Sequence, residues 1–456
     1  MWGFLLFLLP VWSYAFGIDS GGKTSVSRVD NDAFSLPAAN LSFEGRLDFN
    51  VGNSFFRNPW VIAPASTTAR DGLGPLFNTN GCQNCHIRDG RGHLPASAED
   101  NAVSLLIRVS MQPVNDEERN RVRSSGVIPH PAYGDQIQDF AIPGVEPEAR
   151  IALDFTYHDV ALAGGDTVRL RNPVLTLTQL AYGPLDDRVS RSMRVAPPMI
   201  GLGLLEVLTA EQIQQQADPD DQDHDGISGR WNTVWDAEQK QMVMGRFGWK
   251  AEQPTLKQQN AAAFNGDIGI TSSLFSEENC TSVQKLCSAA PDGGKPELTD
   301  KILNLVTFYT GNLGVPKRRD TDNPLVKRGE KVFVEAGCDG CHTVTFVTPD
   351  VSGRPQHSAQ TIHPYTDLLL HDMGEGLADH REVFAASGTE WRTPPLWGIG
   401  LTKVVSGVEN YLHDGRAQSL LEAVLWHGGE GQPSRDYVVK AAQDERDALI
   451  AFLESL

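Results

Sequence analysis

Two short strings constrain this chain more than anything else in it: Cys82-Gln83-Asn84-Cys85-His86 and Cys338-Asp339-Gly340-Cys341-His342. Each brings two thiols and an imidazole together within five residues. Two thiols at that spacing can bond the two vinyl groups of a porphyrin, and the histidine that follows can reach the iron. Structural zinc would need a second pair of ligands at close spacing. Here Cys338 lies 256 residues beyond Cys82, so only folding could join the strings. A thioredoxin-like dithiol should end a strand in a βαβ unit, whereas both strings read as following a short helical pattern. Two covalently attached haems are the favoured reading, with zinc and dithiol redox chemistry as the alternatives.

The surroundings repeat in the same order. PLFNTNGCQNCH parallels KVFVEAGCDGCH, with Phe77 and Phe333 five residues before the first cysteine and Gly81 and Gly337 directly before it. RVAPPMIGLGLL from Arg194 parallels RTPPLWGIGL from Arg392, and GWKAEQPTL from Gly248 faintly echoes DGRAQSL from Asp414. Ordered self-similarity of this kind marks an internal duplication. Cys82 and Arg194 are 112 residues apart and Cys338 and Arg392 only 54, so the first half carries an insertion, expected over about 104–186. Its Pro, Gly and β-like runs, such as DTVRLRNPVLTL, predict strands there. The expected architecture is mainly α. It comprises two cytochrome c-like haem domains, over 46–310 and 325–456, with a partly β insertion in the first. FYTGNLGVPKRRDTDNP (308–324) reads as the linker between them. DERDALIAFLESL reads as a terminal amphipathic helix.

The opening MWGFLLFLLPVWSYAFG has an apolar run too short to span a bilayer, followed by the small residues Ser13 and Ala15. Residues 1–15 are therefore expected to be a signal peptide, although no Lys or Arg precedes the run. No later segment reads as a membrane span, and the periplasm is the expected destination. In an exported chain the remaining two of the six cysteines, Cys280 and Cys287, are expected to form a local disulfide. The net charge of -19 argues against a nucleic-acid partner and favours a basic redox protein or a small molecule.

Strings spread over 72–420 carry a resemblance: GLGPLFNTNGCQNCHIRDGRG, PPMIGLGLLE, DHDGISGR, GRFGWK, AAAFNGDIGIT, FYTGNLGVP, HPYTDLLLHDMG, RTPPLWGIG and YLHDGRAQSL. With these the chain resembles the bacterial di-haem oxidoreductases. These are relatives of the di-haem cytochrome c peroxidases and of the di-haem enzyme of methylamine dehydrogenase maturation. The resemblance implies His86 and His342 as proximal iron ligands. It implies a catalytic N-terminal haem that reduces hydrogen peroxide, and a C-terminal haem that takes electrons from a small donor protein, a cytochrome or cupredoxin. One departure matters. The peroxidases place a methionine ligand before the histidine of their Y-M-H-D-G string, and this chain has Leu412 in Tyr411-Leu412-His413-Asp414-Gly415. Leucine cannot ligate iron. The methylamine-pathway relative uses a tyrosine there, so the loss does not abolish the class. Met373, His371, His413 and Tyr411 are the candidates, and Met373 is favoured as a soft ligand.

Peroxide cleavage needs an acid–base group beside the bound oxygen. HPAYGDQIQD offers His130, Asp135, Gln136 and Gln138, and His93 is near the first string; Gln136 is taken as the catalytic candidate. Trp249 stands where relatives keep a tryptophan between the haems, as a relay or as plain core. DPDDQDHDGISG sets Asp221, Asp223 and Asp225 at alternate positions before Gly226, a pattern that can wrap calcium in oxygen. The twelfth position of an EF-hand loop would be Asn232, so the match is partial, and a solvated acidic turn is the alternative. The rival functions are a non-enzymatic di-haem electron carrier and a redox step in iron handling.

Overall fold

The computed structural model describes residues 16–95 and 103–456, so the expected signal peptide lies outside the described residues. The structure is 30% helical and 18% strand, with several small sheets. This overturns the mainly α, cytochrome c-like expectation. The reason lies in the sequence: 43 glycines and 27 prolines punctuate the chain, and few helical patterns run on for long.

The longer helices come in crossing pairs. Phe43–Arg57 crosses Asp300–Gly311, and Pro324–Glu335 crosses Gln443–Ser455. In both pairs a glycine allows the backbones to touch. A Cβ on Gly52 would stand 2.2 Å from the carbonyl oxygen of Leu305, and one on Gly329 would stand 2.0 Å from that of Ala448. Aromatic rings fill the crossings, with Phe49 against Tyr309 at 4.7 Å and Phe333 against Phe452 at 5.1 Å. The terminal helix buries Ala448, Leu449, Phe452 and Leu453, the stripe its sequence pattern predicts.

The paired RVAPP and RTPP strings fold alike and pack on one another. Gly201 (φ 71, ψ 3) and Gly398 (φ 73, ψ -1) each start a short helical segment from the left-handed region. Trp397 covers Gly201, and Ile200 covers Gly398. The faint echo between GWKAEQPTL and DGRAQSL marks two helix starts, capped by Thr255 and Ser419 through bonds to the amides of Gln258 and Glu422.

Most of the strand lies in the expected insertion. Leu105–Met111 pairs with Val189–Val195 and Gln136–Ile137 in one antiparallel sheet. Arg150–Ala161 and Thr167–Thr178 form a long hairpin. Its tip leaves the first half: Ala163 N donates to Val439 O at 2.8 Å, and His158 meets Trp426 edge-on at 5.0 Å. The 308–324 segment is not an exposed linker. It is buried from Gly311 to Pro316, where Leu313 and Val315 join the larger core and Pro316 pairs with Val26. Cys338 follows a helix as expected, but Cys82 follows the two-residue strand Leu76–Phe77. Cys280 and Cys287 form a disulfide.

Candidate functional site

Each Cys-x-x-Cys-His string winds through one tight turn. His86 N donates to Cys82 O, and His342 N to Cys338 O, both at 2.9 Å. The turn gathers both thiols and the imidazole onto one cavity. Cys82, Cys85 and His86 line the first, and Cys338, Cys341 and His342 line the second. In both, ring Nδ1 donates to a backbone carbonyl: His86 to Pro197 O at 2.8 Å and His342 to Tyr365 O at 2.9 Å. That bond fixes the tautomer and leaves the Nε2 lone pair free, the arrangement of a metal-ligating histidine. Burial lowers both pKa values to about 4, so the rings are neutral near pH 7.

The rival readings of the strings fit less well. A reactive dithiol needs a depressed thiol pKa, yet burial pushes Cys82 and Cys338 up to about 12. Among the described residues, the group of three or more His, Cys, Asp or Glu with converging ligand atoms is Asp221, Asp223 and Asp225, so the two strings do not combine into one zinc site.

The cavities share a wall. Arg91, Trp249, Arg392, Pro394, Leu396 and Ile399 line both. Trp249 is buried, and its Nε1 donates to Val195 O at 2.9 Å. Arg91 lies over its ring at 5.3 Å, and Arg392 N donates to its carbonyl at 2.9 Å. Behind Trp249, Trp391 stacks on His413 at 3.6 Å. Lys250 Nζ lies 4.4 Å from the Trp391 ring and 2.9 Å from Asp379.

The first cavity is strongly polar on one side. Arg108, Arg246, Gln259 and Asp267 line it. Arg246 Nε and Gln259 Oε1 are buried without a partner among the described residues. Burial raises the Asp267 carboxyl above its ordinary range, against the pull of Arg108 and Gln136. Gln136 itself is not in the cavity wall. It is 2% exposed, and its amide donates to Asn78 Oδ1 at 2.6 Å and Asp267 Oδ1 at 3.0 Å. Sequence reading passed over Asp267 although it sits in the quoted AAAFNGDIGIT string. A lone carboxylate among Phe264, Ile268 and Ile270 was the available signal. His130 is committed locally, accepting from Ala132 N at 3.1 Å, and His93 Nδ1 bonds to Leu94 O at 2.7 Å.

The second cavity gathers Met373, His371, Tyr411 and His413, the four candidates for a further ligand. His371 is held at both nitrogens, Nε2 by Asp367 and Nδ1 by Glu430, each at 2.7 Å. Burial opposes its charge, but Asp367 and Glu430 prevail and raise its pKa well above the ordinary value. Tyr411 Oη donates to Glu409 at 3.2 Å. The acidic loop adjoins this cavity, because Ile227 lines it and Ser228 donates to Glu430. Within the loop, ligand oxygens of Asp221, Asp223 and Asp225 lie within 4.8 Å of one another. Asn232 is turned away, buried and bonded to Lys250 O and Val383 O.

These sites suit haem. Each offers two unpaired thiols and an imidazole Nε2 to a single cavity, and the first adds arginines, one with a buried orphan N–H, for carboxylate groups. Two such centres back to back define a two-centre redox protein. The chain belongs to the family described as "Di-haem oxidoreductase, putative peroxidase", whose model matches residues 14–456. It is a di-haem oxidoreductase, and haem is its cofactor. Among solved structures it is similar to Kuenenia stuttgartiensis hydrazine synthase pressurized with xenon, at 14% identity and a TM-score of 0.31, over 88% of this chain and 100% of that one. That likeness is too slight to carry an argument. No curated protein matches the chain. No helix among the described residues is long and apolar enough to cross a membrane.

Proposed function

We propose that this chain is an exported peroxidase with two covalently attached c-type haems. Cys82 and Cys85 hold one, with His86 as its proximal ligand; Cys338, Cys341 and His342 hold the other. Hydrogen peroxide is reduced in the N-terminal cavity, and electrons arrive at the C-terminal one from a small cytochrome or cupredoxin. The carrying observation is the asymmetry of the walls. The first cavity presents a half-buried carboxyl, Asp267, with no cation at contact distance among the described residues. The second has Glu430 committed to His371 and Ser228.

When bound, the haems supply one-electron redox chemistry at iron. The chain's own groups manage the protons. Reducing peroxide to two waters takes two electrons and two protons, and hydroxide is a poor leaving group near neutral pH. Asp267, whose pKa burial raises, would give a proton to the departing oxygen and recover one from solvent. Gln259 orients the substrate through its unpartnered Oε1. Trp249 offers a π system in the wall between the two centres. The acidic surface suits a basic donor, and Asp221, Asp223 and Asp225 supply the oxygens for a calcium ion. The leader sequence supports export to the periplasm.

The decisive experiment uses holoprotein matured in an oxidising compartment with a haem-attachment system. The half-reduced protein, supplied with calcium, should consume hydrogen peroxide and show one open, high-spin haem. Two low-spin haems, with peroxide loss no faster than that of a closed c-type cytochrome, would make it an electron carrier instead.

A further inference from the structure

We propose that His427, not Met373, is the second axial ligand of the C-terminal haem, so that this haem is closed by two imidazoles. The inference rests on the haem assignment to Cys338, Cys341 and His342. His427 and His342 line the same cavity. His427 repeats the preparation seen at the two proximal histidines. Its Nδ1 donates to a backbone carbonyl, Ala423 O, at 2.8 Å, against 2.8 Å at His86 and 2.9 Å at His342. The carbonyl belongs to the short helix Leu420–Leu425, so the ring is tied to the rigid element just before it. Nε2 keeps its lone pair and has no hydrogen-bond partner among the described residues. An imidazole fixed in this way is preorganised to bind a metal, because neither its tautomer nor its orientation has to change.

The backbone around His427 is built to hold it there. Gly428 and Gly429 follow, and Gly429 sits at φ +53. A Cβ on Gly429 would stand 2.2 Å from Asp372 O, and one on Gly428 would stand 3.0 Å from Met373 O. The glycines let the His427 turn press onto the end of the Leu370–Asp372 strand. Trp426, the preceding residue, is pinned by His158 of the long hairpin and by Arg416, whose guanidinium lies 4.5 Å from its ring.

The other candidates are less free. Both nitrogens of His371 are taken by carboxylates. His413 lies flat on Trp391, with Nε2 facing Asp414 at 3.8 Å. Tyr411 is bonded to Glu409. Met373 lines the cavity, but a flexible thioether has no comparable anchor. Two imidazoles hold a haem at a lower potential than imidazole plus thioether. The electron-accepting centre of this chain therefore sits lower than one completed by methionine, and its donor must be correspondingly reducing.

The test is spectroscopic and uses holoprotein carrying two haems. Wild-type ferric protein should lack the red charge-transfer band of thioether-ligated haem. His427→Ala should lose the low-spin signal of the C-terminal haem, and added imidazole should restore it. His427→Met should keep that haem low-spin, gain the thioether band and raise its potential. Met373→Leu should leave spectrum and potential unchanged. A thioether band in the wild type that Met373→Leu removes, or His427 variants with unaltered spin state and potential, would overturn the proposal. If the wild type carries fewer than two haems per chain, it is the haem assignment that fails, and the haemochrome count reads this separately.

Discussion

The side-chain amide of Gln136 donates to Asp267 Oδ1 at 3.0 Å, and only Asp267 reaches the first cavity. The amide stabilises the carboxylate and so draws the Asp267 pKa down against burial. Asp267→Asn should lower peroxide turnover by about 100-fold or more, the range for losing a general acid. Gln136→Leu should act more gently. Without its hydrogen bond the Asp267 pKa rises, and the limb of the pH–rate profile that reports it moves to higher pH. A Gln136→Leu profile superimposable on the wild type, with turnover intact, would leave Gln136 no positioning role.

Haem stoichiometry tests the attachment proposal most directly. Pyridine haemochrome analysis of the matured protein should count two covalent haems per chain. Replacing Cys82 and Cys85 together with serine should reduce that to one, as should replacing Cys338 and Cys341. Zinc in place of haem in the wild type would reinstate the discarded reading.

Trp249→Phe keeps an aromatic ring in the shared wall but removes the bond from Nε1 to Val195 O. It should cost about 1 kcal/mol of stability. It should also slow electron transfer between the centres while leaving both haem spectra in place. Stopped-flow reduction of the C-terminal haem followed by peroxide mixing separates the two effects. An unchanged inter-centre rate would mark Trp249 as core packing alone.

Asp379 links acid stability to a buried charge cluster. Burial pushes its pKa up, but Lys250 at 2.9 Å and Arg194 at 3.0 Å outweigh that and hold it at about 2. A carboxyl depressed below its unfolded value of about 3.9 stabilises the fold above that pH and loses the contribution as pH falls toward 2. The contribution is about 2 kcal/mol. Asp379→Asn should flatten this part of the acid-unfolding curve. It should also destabilise the protein at pH 7 by about 3–5 kcal/mol, because Lys250 stays buried without its counter-ion and Arg194 keeps only Glu252, at 4.0 Å.

Calcium binding is read by titration calorimetry. The wild type should bind one ion in the 221–226 loop, and Asp221→Asn combined with Asp223→Asn should abolish the heat. Because Ser228 of the adjoining segment bonds Glu430, calcium should also perturb the spectrum of the C-terminal haem and leave the N-terminal one unaffected. An equal heat in the double variant would place any bound ion elsewhere.

The local chemistry of this protein was written in its sequence. Cys-x-x-Cys-His closes its own turn by a bond four residues long, so thiols and imidazole meet whatever the rest of the chain does. The terminal helix, the caps at Thr255 and Ser419 and the disulfide between Cys280 and Cys287 are likewise settled over short spans, where spacing and side-chain type dominate. The balance of helix and strand was misjudged because a haem-binding string says nothing about the segments between such strings. What faces what was decided by tertiary structure. Gln136 and Asp267 are 131 residues apart, and no periodicity reveals that one stands behind the other. The wall containing Trp249 and Arg392 exists only because Gly201 and Gly398 let the two repeated strings pack face to face. His427 could not be picked out from the chain's 12 histidines until folding placed it in the wall of the second cavity. Contacts between distant segments depend on backbone approach and mutual packing, which are properties of the assembled fold and not of any stretch of sequence.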